Sequence, residues 1–244
     1  MINFFRKTRK NLADKNKPFK YLRYAIGEIV LVVVGILIAL SINNWNQSRI
    51  ENKKELVLLQ QLLEDFNANK KLIKEGVESY QGDIKRIKVI LHNTGPKANI
   101  PSLAIYDSIE NLDYTTVELV YGTINPTLSS QQIDRLTNNK LKIALTKFPS
   151  TLSSYKQSEK STRELTLEQR KLHQKYISLL NSDANFTQIQ FKSDSLGLLR
   201  DRDFQNITVD KKWLTNGAIN KLKSLNKSNE QILELIKVEL NKYN

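Results

Sequence analysis

One stretch of this chain limits its architecture more than any other. Residues Ala25 to Ile42 read AIGEIVLVVVGILIALSI, with Glu28 the single ionisable group and Ser41 the single hydroxyl. As a helix these residues rise about 27 Å, close to the hydrocarbon thickness of a bilayer. Val and Ile at this density disfavour a helix in water. In lipid the balance changes, because a lone span must satisfy its own backbone hydrogen bonds and a helix does so. Tyr21 and Tyr24 precede the stretch and Trp45 follows it. Their amphipathic rings are placed as interface anchors at headgroup level. The stretch predicts a transmembrane helix over 25–46.

The flanking charge predicts its orientation. Residues 1–24 carry Arg6, Lys7, Arg9, Lys10, Lys15, Lys17, Lys20 and Arg23 against Asp14 alone. Beyond the stretch, Arg49, Lys53 and Lys54 alternate with Glu51 and Glu55. The Lys/Arg excess puts the N-terminus in the cytoplasm and the rest of the chain outside. A cleaved signal peptide is the competing reading, since Ala39-Leu40-Ser41 loosely fits a small-residue cleavage site. Against it stand the 24-residue leader, Glu28 within the stretch, and apolar character that runs past that site. Ile2, Phe4, Phe5, Leu12, Phe19 and Leu22 lie among the cations. The leader therefore suits either contact with an anionic inner leaflet or topology alone.

Glu28, Gly35, Ala39 and Asn46 follow one another at intervals of 7, 4 and 7 residues. At 100° per residue they fall within about 20° of one line along a helix. A carboxyl, two small residues and an amide on one stripe form a transmembrane packing face, with Gly35-x-x-x-Ala39 as its small-xxx-small step. The competing reading is that Glu28 snorkels to the cytoplasmic headgroups.

After Asn46 the pattern becomes amphipathic. Leu56, Leu59, Leu63, Phe66, Lys70, Ile73, Val77, Tyr80, Ile84, Ile87 and Leu91 alternate in steps of 3 and 4. This heptad seam predicts a helix from about 47 to 92, for a bundle or a coiled-coil dimer. Asn93-Thr94-Gly95-Pro96 ends it. A short helix is expected near 102–111 behind Ser102, and a short strand or irregular packed segment over 112–128. A short helix at 129–137, a turn at Asn138-Asn139 and a long helix over 140–181 follow. Pro149 should kink or interrupt that helix. Residues 182–209 are ambiguous. A last helix is expected over 210–242, burying Leu214, Ala218, Leu222, Leu225, Ile232, Ile236 and Leu240. The expected fold is all-α: one N-terminal transmembrane helix, then an antiparallel bundle of long amphipathic helices. The domains are a basic segment 1–24, the span 25–46 and an extracytoplasmic domain 47–244.

The chain offers little for catalysis. It has no Cys and two His, which excludes thiolate chemistry and Cys-based metal sites. His92 and His173 have no ligand-spaced partner and are expected at the surface. Asp201-Arg202-Asp203 lacks the spacing, glycine and terminal Glu of a calcium loop and reads as a solvated loop. Tyr114, Tyr121, Phe204 and Trp213 read as core in preference to a ligand pocket. No enzyme activity, cofactor or metal is expected. The net charge of +13 invites a nucleic-acid reading. The leader alone carries +7, and the cations beyond the span are interspersed with anions. No basic stripe interleaved with aromatics remains, so nucleic acid is not an expected partner. The expected partners are the bilayer and either a second copy or another membrane protein.

The run KYLRYAIGEIVLVVVGILIALSINNWNQSR, Lys20 to Arg49, resembles the N-terminal signature of a family of single-pass membrane proteins of Gram-negative bacteria, domain of unknown function six-zero-nine-zero. The similarity extends upstream over Phe4 to Lys17, and diffusely over Ser129 to Leu145 and Arg200 to Trp213. The resemblance implies a bacterial inner-membrane protein and assigns no catalytic residues. The expected role is a membrane-anchored periplasmic interaction or assembly module. The alternative is a ligand-sensing helical bundle that signals through a partner.

Overall fold

The computed structural model describes residues 18–110, 113–182 and 191–243. The cations Arg6, Lys7, Arg9, Lys10, Lys15 and Lys17 lie outside them. Among the described residues six α-helices occur in order: α1 (Pro18–His92), α2 (Leu103–Glu110), α3 (Ile124–Ser129), α4 (Asn139–Tyr176), α5 (Ser195–Arg200) and α6 (Arg202–Leu240). Two short 3-10 helices, Gln131–Arg135 and Leu179–Ser182, fall between them. No strand occurs among the described residues. The chain divides into two compact units, Met1–Glu55 and Leu56–Asn244.

In the second unit α1, α4 and α6 share one hydrophobic core, which includes Leu59, Phe66, Tyr80, Leu145, Phe148, Leu222 and Ile236. Residue pairs fix the helix directions. Phe66 meets Phe148 edge to face with ring centroids 5.0 Å apart. Tyr80 Oη lies 3.2 Å from Tyr155 Oη. Numbers rise together on the two helices, so α1 and α4 run the same way, where antiparallel neighbours were expected. The reason is the long connection 93–138, which returns the chain before α4 begins. α6 runs against both: Asn229 Nδ2 donates to Phe66 O at 2.9 Å and Gln205 Nε2 to Thr94 Oγ1 at 3.0 Å. Gln169 Nε2 donates to Thr208 Oγ1 at 2.8 Å and Asn138 Nδ2 to Glu239 Oε1 at 2.6 Å. A second cluster closes the other end, with Ile90, Ala98, Ile109, Ile177, Leu198, Leu199 and Phe204.

The helix ends follow local chemistry. α1 stops at the expected Asn93–Pro96 cluster, where Gly95 takes a φ of +127° that favours glycine. Gly95 N then donates to Leu199 O at 2.8 Å. Asn138 caps α4 by accepting from Leu141 N at 3.1 Å. Asp201 caps α6 by accepting from Asp203 N and Phe204 N. The Asp-Arg-Asp run is thus a helix start in place of a free loop. α6 begins eight residues before the expected position, and α4 ends at Tyr176, short of the expected 181. Pro149 sits inside α4 without interrupting it.

The expected seam on α1 is displaced by one residue at every second position. Leu59, Phe66, Ile73, Tyr80 and Ile87 are buried as expected. Leu56, Leu63, Val77, Ile84 and Leu91 are half-buried, and Lys70 is exposed beside Glu230 at 3.2 Å. The line of full burial runs instead through Leu62, Asn69, Gly76, Asp83 and Ile90. On α6, Leu214 is exposed, while Lys211 and Thr215 are buried. Five seam residues, Leu59, Phe66, Ile73, Tyr80 and Ile87, face the interior of this chain.

Candidate functional site

Two places on the chain present chemistry. The first is the apolar stretch of α1. This helix is long and apolar enough to cross a membrane, with a mean hydropathy of 2.7 over its most apolar window. No side chain described from Leu22 to Ile50 is buried; Leu31 is 72% exposed and Ile29 is 64% exposed. Glu28, Gly35, Ala39 and Asn46 all lie on this one helix and are exposed. Nothing stands within 4 Å of where a Cβ on Gly35 would be. Tyr24 and Trp45 are exposed at its two ends. The Arg49 guanidinium lies 5.9 Å from the Trp45 ring centroid. The backbone of Lys20 and Tyr21 belongs to α1, and Arg23 is exposed.

The second is a strap. Residues 113–121 belong to no helix or strand, yet Thr115, Val117 and Leu119 are buried and Thr116, Glu118 and Val120 exposed, the two-residue alternation of extended chain. Among the described residues this strap pairs with no strand. Side chains of the three long helices take the place of a neighbouring backbone. Asn69 of α1 binds both sides of one peptide position, donating to Val120 O at 3.0 Å and accepting from Val120 N at 2.7 Å. On α4, Glu159 Oε1 accepts from Val117 N at 2.8 Å and Lys156 Nζ donates to Val117 O at 3.0 Å. Positions 117 and 120 differ in parity, so their peptide groups face opposite edges, one toward α4 and one toward α1. The strap therefore fills the groove between the two parallel helices.

Further bonds extend this pattern. Tyr80 OH donates to Thr115 O at 3.0 Å, and Thr115 Oγ1 donates to Asp83 Oδ2 at 2.7 Å. Asp65 Oδ2 accepts from Thr123 N at 2.7 Å. Lys211 of α6 donates to Asp113 O at 2.8 Å. Along α1 the clamps run from 65 to 83, about 27 Å of helix. Along the strap they run back from Thr123 to Thr115, so the segment is held from both ends. Gly76 makes room at the midpoint: a Cβ there would overlap Val117 Cγ2 and come 3.2 Å from Leu222 Cδ2.

The electrostatics follow from burial. Tyr80, Tyr155 and Glu159 form a chain, with Tyr155 OH donating to Glu159 Oε1 at 2.9 Å. Burial pushes the Tyr80 hydroxyl up to about 12, and it raises Tyr155 further still. Burial likewise lowers the Lys211 ammonium to about 8, against the pull of Asp83 and Asp113. This set orders a backbone. Among the described residues no group of three or more His, Asp or Glu is placed to hold a metal.

The remaining residues named from sequence scatter. His92 is exposed, its Nδ1 2.6 Å from Lys88 O. His173 is buried, contrary to expectation, because α4 turns it toward the core on the line of Thr162, Thr166 and Gln169. Phe204 is core and Tyr121 packs partly against the core. Tyr114 is half-buried, with the Arg163 guanidinium 5.6 Å from its ring centroid. Trp213, expected in the core, is 65% exposed. The clamp residues Asp65, Asn69, Asp83, Lys156, Glu159 and Lys211 escaped the sequence reading. The signal was present as Asn69, Gly76 and Asp83 at heptad spacing, three non-apolar residues on one line of an otherwise apolar helix.

Residues 28–217 match the model of a family of unknown function, DUF6090. The chain belongs to that family. The DUF6090 match begins at Glu28 in the apolar stretch and reaches Gly217, so it takes in the strap and all of its clamps. No curated protein and no solved structure matches the chain.

Proposed function

We propose that this DUF6090 member is a single-pass bacterial inner-membrane protein with a cytoplasmic N-terminus. In this reading residues 47–244 stand in the periplasm as a helical interaction or assembly module. The observation that carries it is the fully exposed apolar stretch of α1 behind a leader of net charge +7. So large an apolar surface in water would cost about 25 cal/mol for each Å² left exposed. Lipid removes that cost, and the leader's cations hold the N-terminus inside. Glu28, Gly35, Ala39 and Asn46 then face the bilayer interior as a packing stripe for a second span. The strap supports the interaction reading, because its clamps order a fixed surface and bring no set of reactive groups together.

A phosphatase that folds only outside the cytoplasm, fused after Asn244, tests the topology. Activity is expected; an inactive fusion, with a cytoplasmic reporter active at the same site, refutes it. Crosslinking in native membranes followed by mass spectrometry tests the module. A reproducible partner or homodimer is expected, and a chain that crosslinks to nothing at native abundance refutes the interaction role.

A further inference from the structure

His173 sits near the end of α4 and is 4% exposed. Its Nε2 has no hydrogen-bond partner among the described residues. It stands where α4 meets the second cluster, since Leu172, Tyr176 and Ile177 pack into that cluster. The same turn holds two other elements. Tyr176 O accepts from Asp194 N at 2.7 Å, and Asp194 caps α5. Tyr176 OH donates to Asp201 Oδ2 at 2.5 Å, and Asp201 caps α6. Ile177 N donates to His173 O at 3.0 Å. The last turn of α4, which carries His173, therefore also holds the starts of α5 and α6 through Tyr176.

The charged groups facing the imidazole are Glu110 of α2 and Arg170 of α4, one of each sign. From α1, α5 and α6 this end receives Ile90, Leu198, Leu199 and Phe204, none of which titrates. A neutral ring suits such a place. A proton added there brings a charge whose burial outweighs the pull of Glu110, which is costly.

We propose that His173 is an acid-sensitive catch: its protonation releases α2, α5 and the start of α6, while the larger core around the strap stays closed. The separation into two clusters makes a local opening possible, because the larger core keeps its own apolar contacts. Burial lowers the His173 pKa below its ordinary value; Arg170 adds to that, and Glu110 opposes it. A released histidine takes its proton near pH 6.5. The open state thus binds more protons than the closed one on the acid side. Closure is fully favoured above about pH 6.5 and weakens as pH falls through the closed-state pKa. A domain exposed to the pH of the surroundings would sense acid in this way, although the catch itself does not depend on where the domain stands.

Hydrogen exchange of the full chain in lipid nanodiscs, at about pH 7.5 and about pH 5.0 and corrected for intrinsic rates, tests the catch. Exchange over 97–110 and 194–206 is expected to rise several-fold in acid. Exchange over 58–73 and 218–236 is expected to hold. Both His173→Leu and His173→Gln, the second keeping a polar side chain, are expected to lose the acid response. Three results each overturn the proposal: no acid response in the wild type, the same response in both variants, or simultaneous opening of the larger core.

Discussion

The seat of the strap rests on the absence of a side chain at Gly76, and an internal control makes that quantitative. Gly76 and Gly82 both lie inside α1. At Gly82 a new Cβ meets nothing within 4 Å; at Gly76 it overlaps Val117 Cγ2 and presses on Leu222 Cδ2. Glycine in a helix interior costs about 0.5–1 kcal/mol relative to alanine. Gly82→Ala should therefore stabilise the protein by about that amount. Gly76→Ala gains the same term but forces a stiff, β-branched residue off its seat, at about 1–3 kcal/mol. Val117 has little freedom to yield, because Glu159 and Lys156 hold its peptide groups. The net expectation is a loss of about 1 kcal/mol, and a gap of about 2 kcal/mol between the two variants. With a urea slope of about 2 kcal/mol per molar, their midpoints separate by about 1 M. Equilibrium unfolding of the full chain in mild detergent, followed by circular dichroism, measures the gap. Adding Val117→Ala to Gly76→Ala removes the overlapping methyl, so the two changes should couple favourably by about 1 kcal/mol. Equal midpoints for Gly76→Ala and Gly82→Ala, or strictly additive effects in the double variant, would refute the close-approach argument.

Other perturbations address other clamps. Asn69→Leu removes both bonds to Val120 and leaves a strap peptide without partners. A loss of about 2–4 kcal/mol is expected, with faster hydrogen exchange over 113–123 than over α4. Lys211→Met tests the buried ammonium. Its pKa of about 8 lies below that of the unfolded chain, so the unfolded state holds more protons above pH 8. Wild-type stability should rise between about pH 8 and 9.5, and the Met variant should show a flatter profile in the same unfolding assay. On the apolar stretch, Glu28→Gln and Gly35→Leu should change self-association in a membrane two-hybrid assay if the stripe packs against a second span.

The helical class and the apolar stretch were legible because both are written in periodicity. An 18-residue apolar run has few alternative readings, and Leu59, Phe66, Ile73, Tyr80 and Ile87 announce their own burial. Asn69, Gly76 and Asp83 stay hidden for the opposite reason. Each is polar or small, and a rule that follows hydrophobicity moves to the apolar neighbour: Lys70 broke the line, while Val77 and Ile84 took the places of Gly76 and Asp83. The same error hid the start of α6, where the buried line runs through Thr208, Lys211 and Thr215. The strap residues were read as β-branched and either strand or irregular. Their actual state lies between the two, because the bonds a strand draws from another strand come here from Asn69, Lys156 and Glu159. Such pairings join residues 39 to 51 positions apart, and a single sequence does not display them. Buried His173 was missed because its line on α4 is built of Thr162, Thr166 and Gln169, which look like an exposed face.

The pairing of α6 with both parallel helices also dictates an order of assembly. Asn229 reaches back 163 residues to Phe66, and Glu239 reaches back 101 to Asn138. A chain emerging from its N-terminus presents α1, the strap and α4 long before α6 exists to cover them. Until α6 is synthesised, Phe66, Phe148 and Tyr155 lack a wall of their core. The nascent protein must therefore cross an interval with this apolar face open, and a stop codon that deletes α6 would leave it there. Loss of α6 should accordingly be read by proteolysis and chaperones as a failure of the whole second unit.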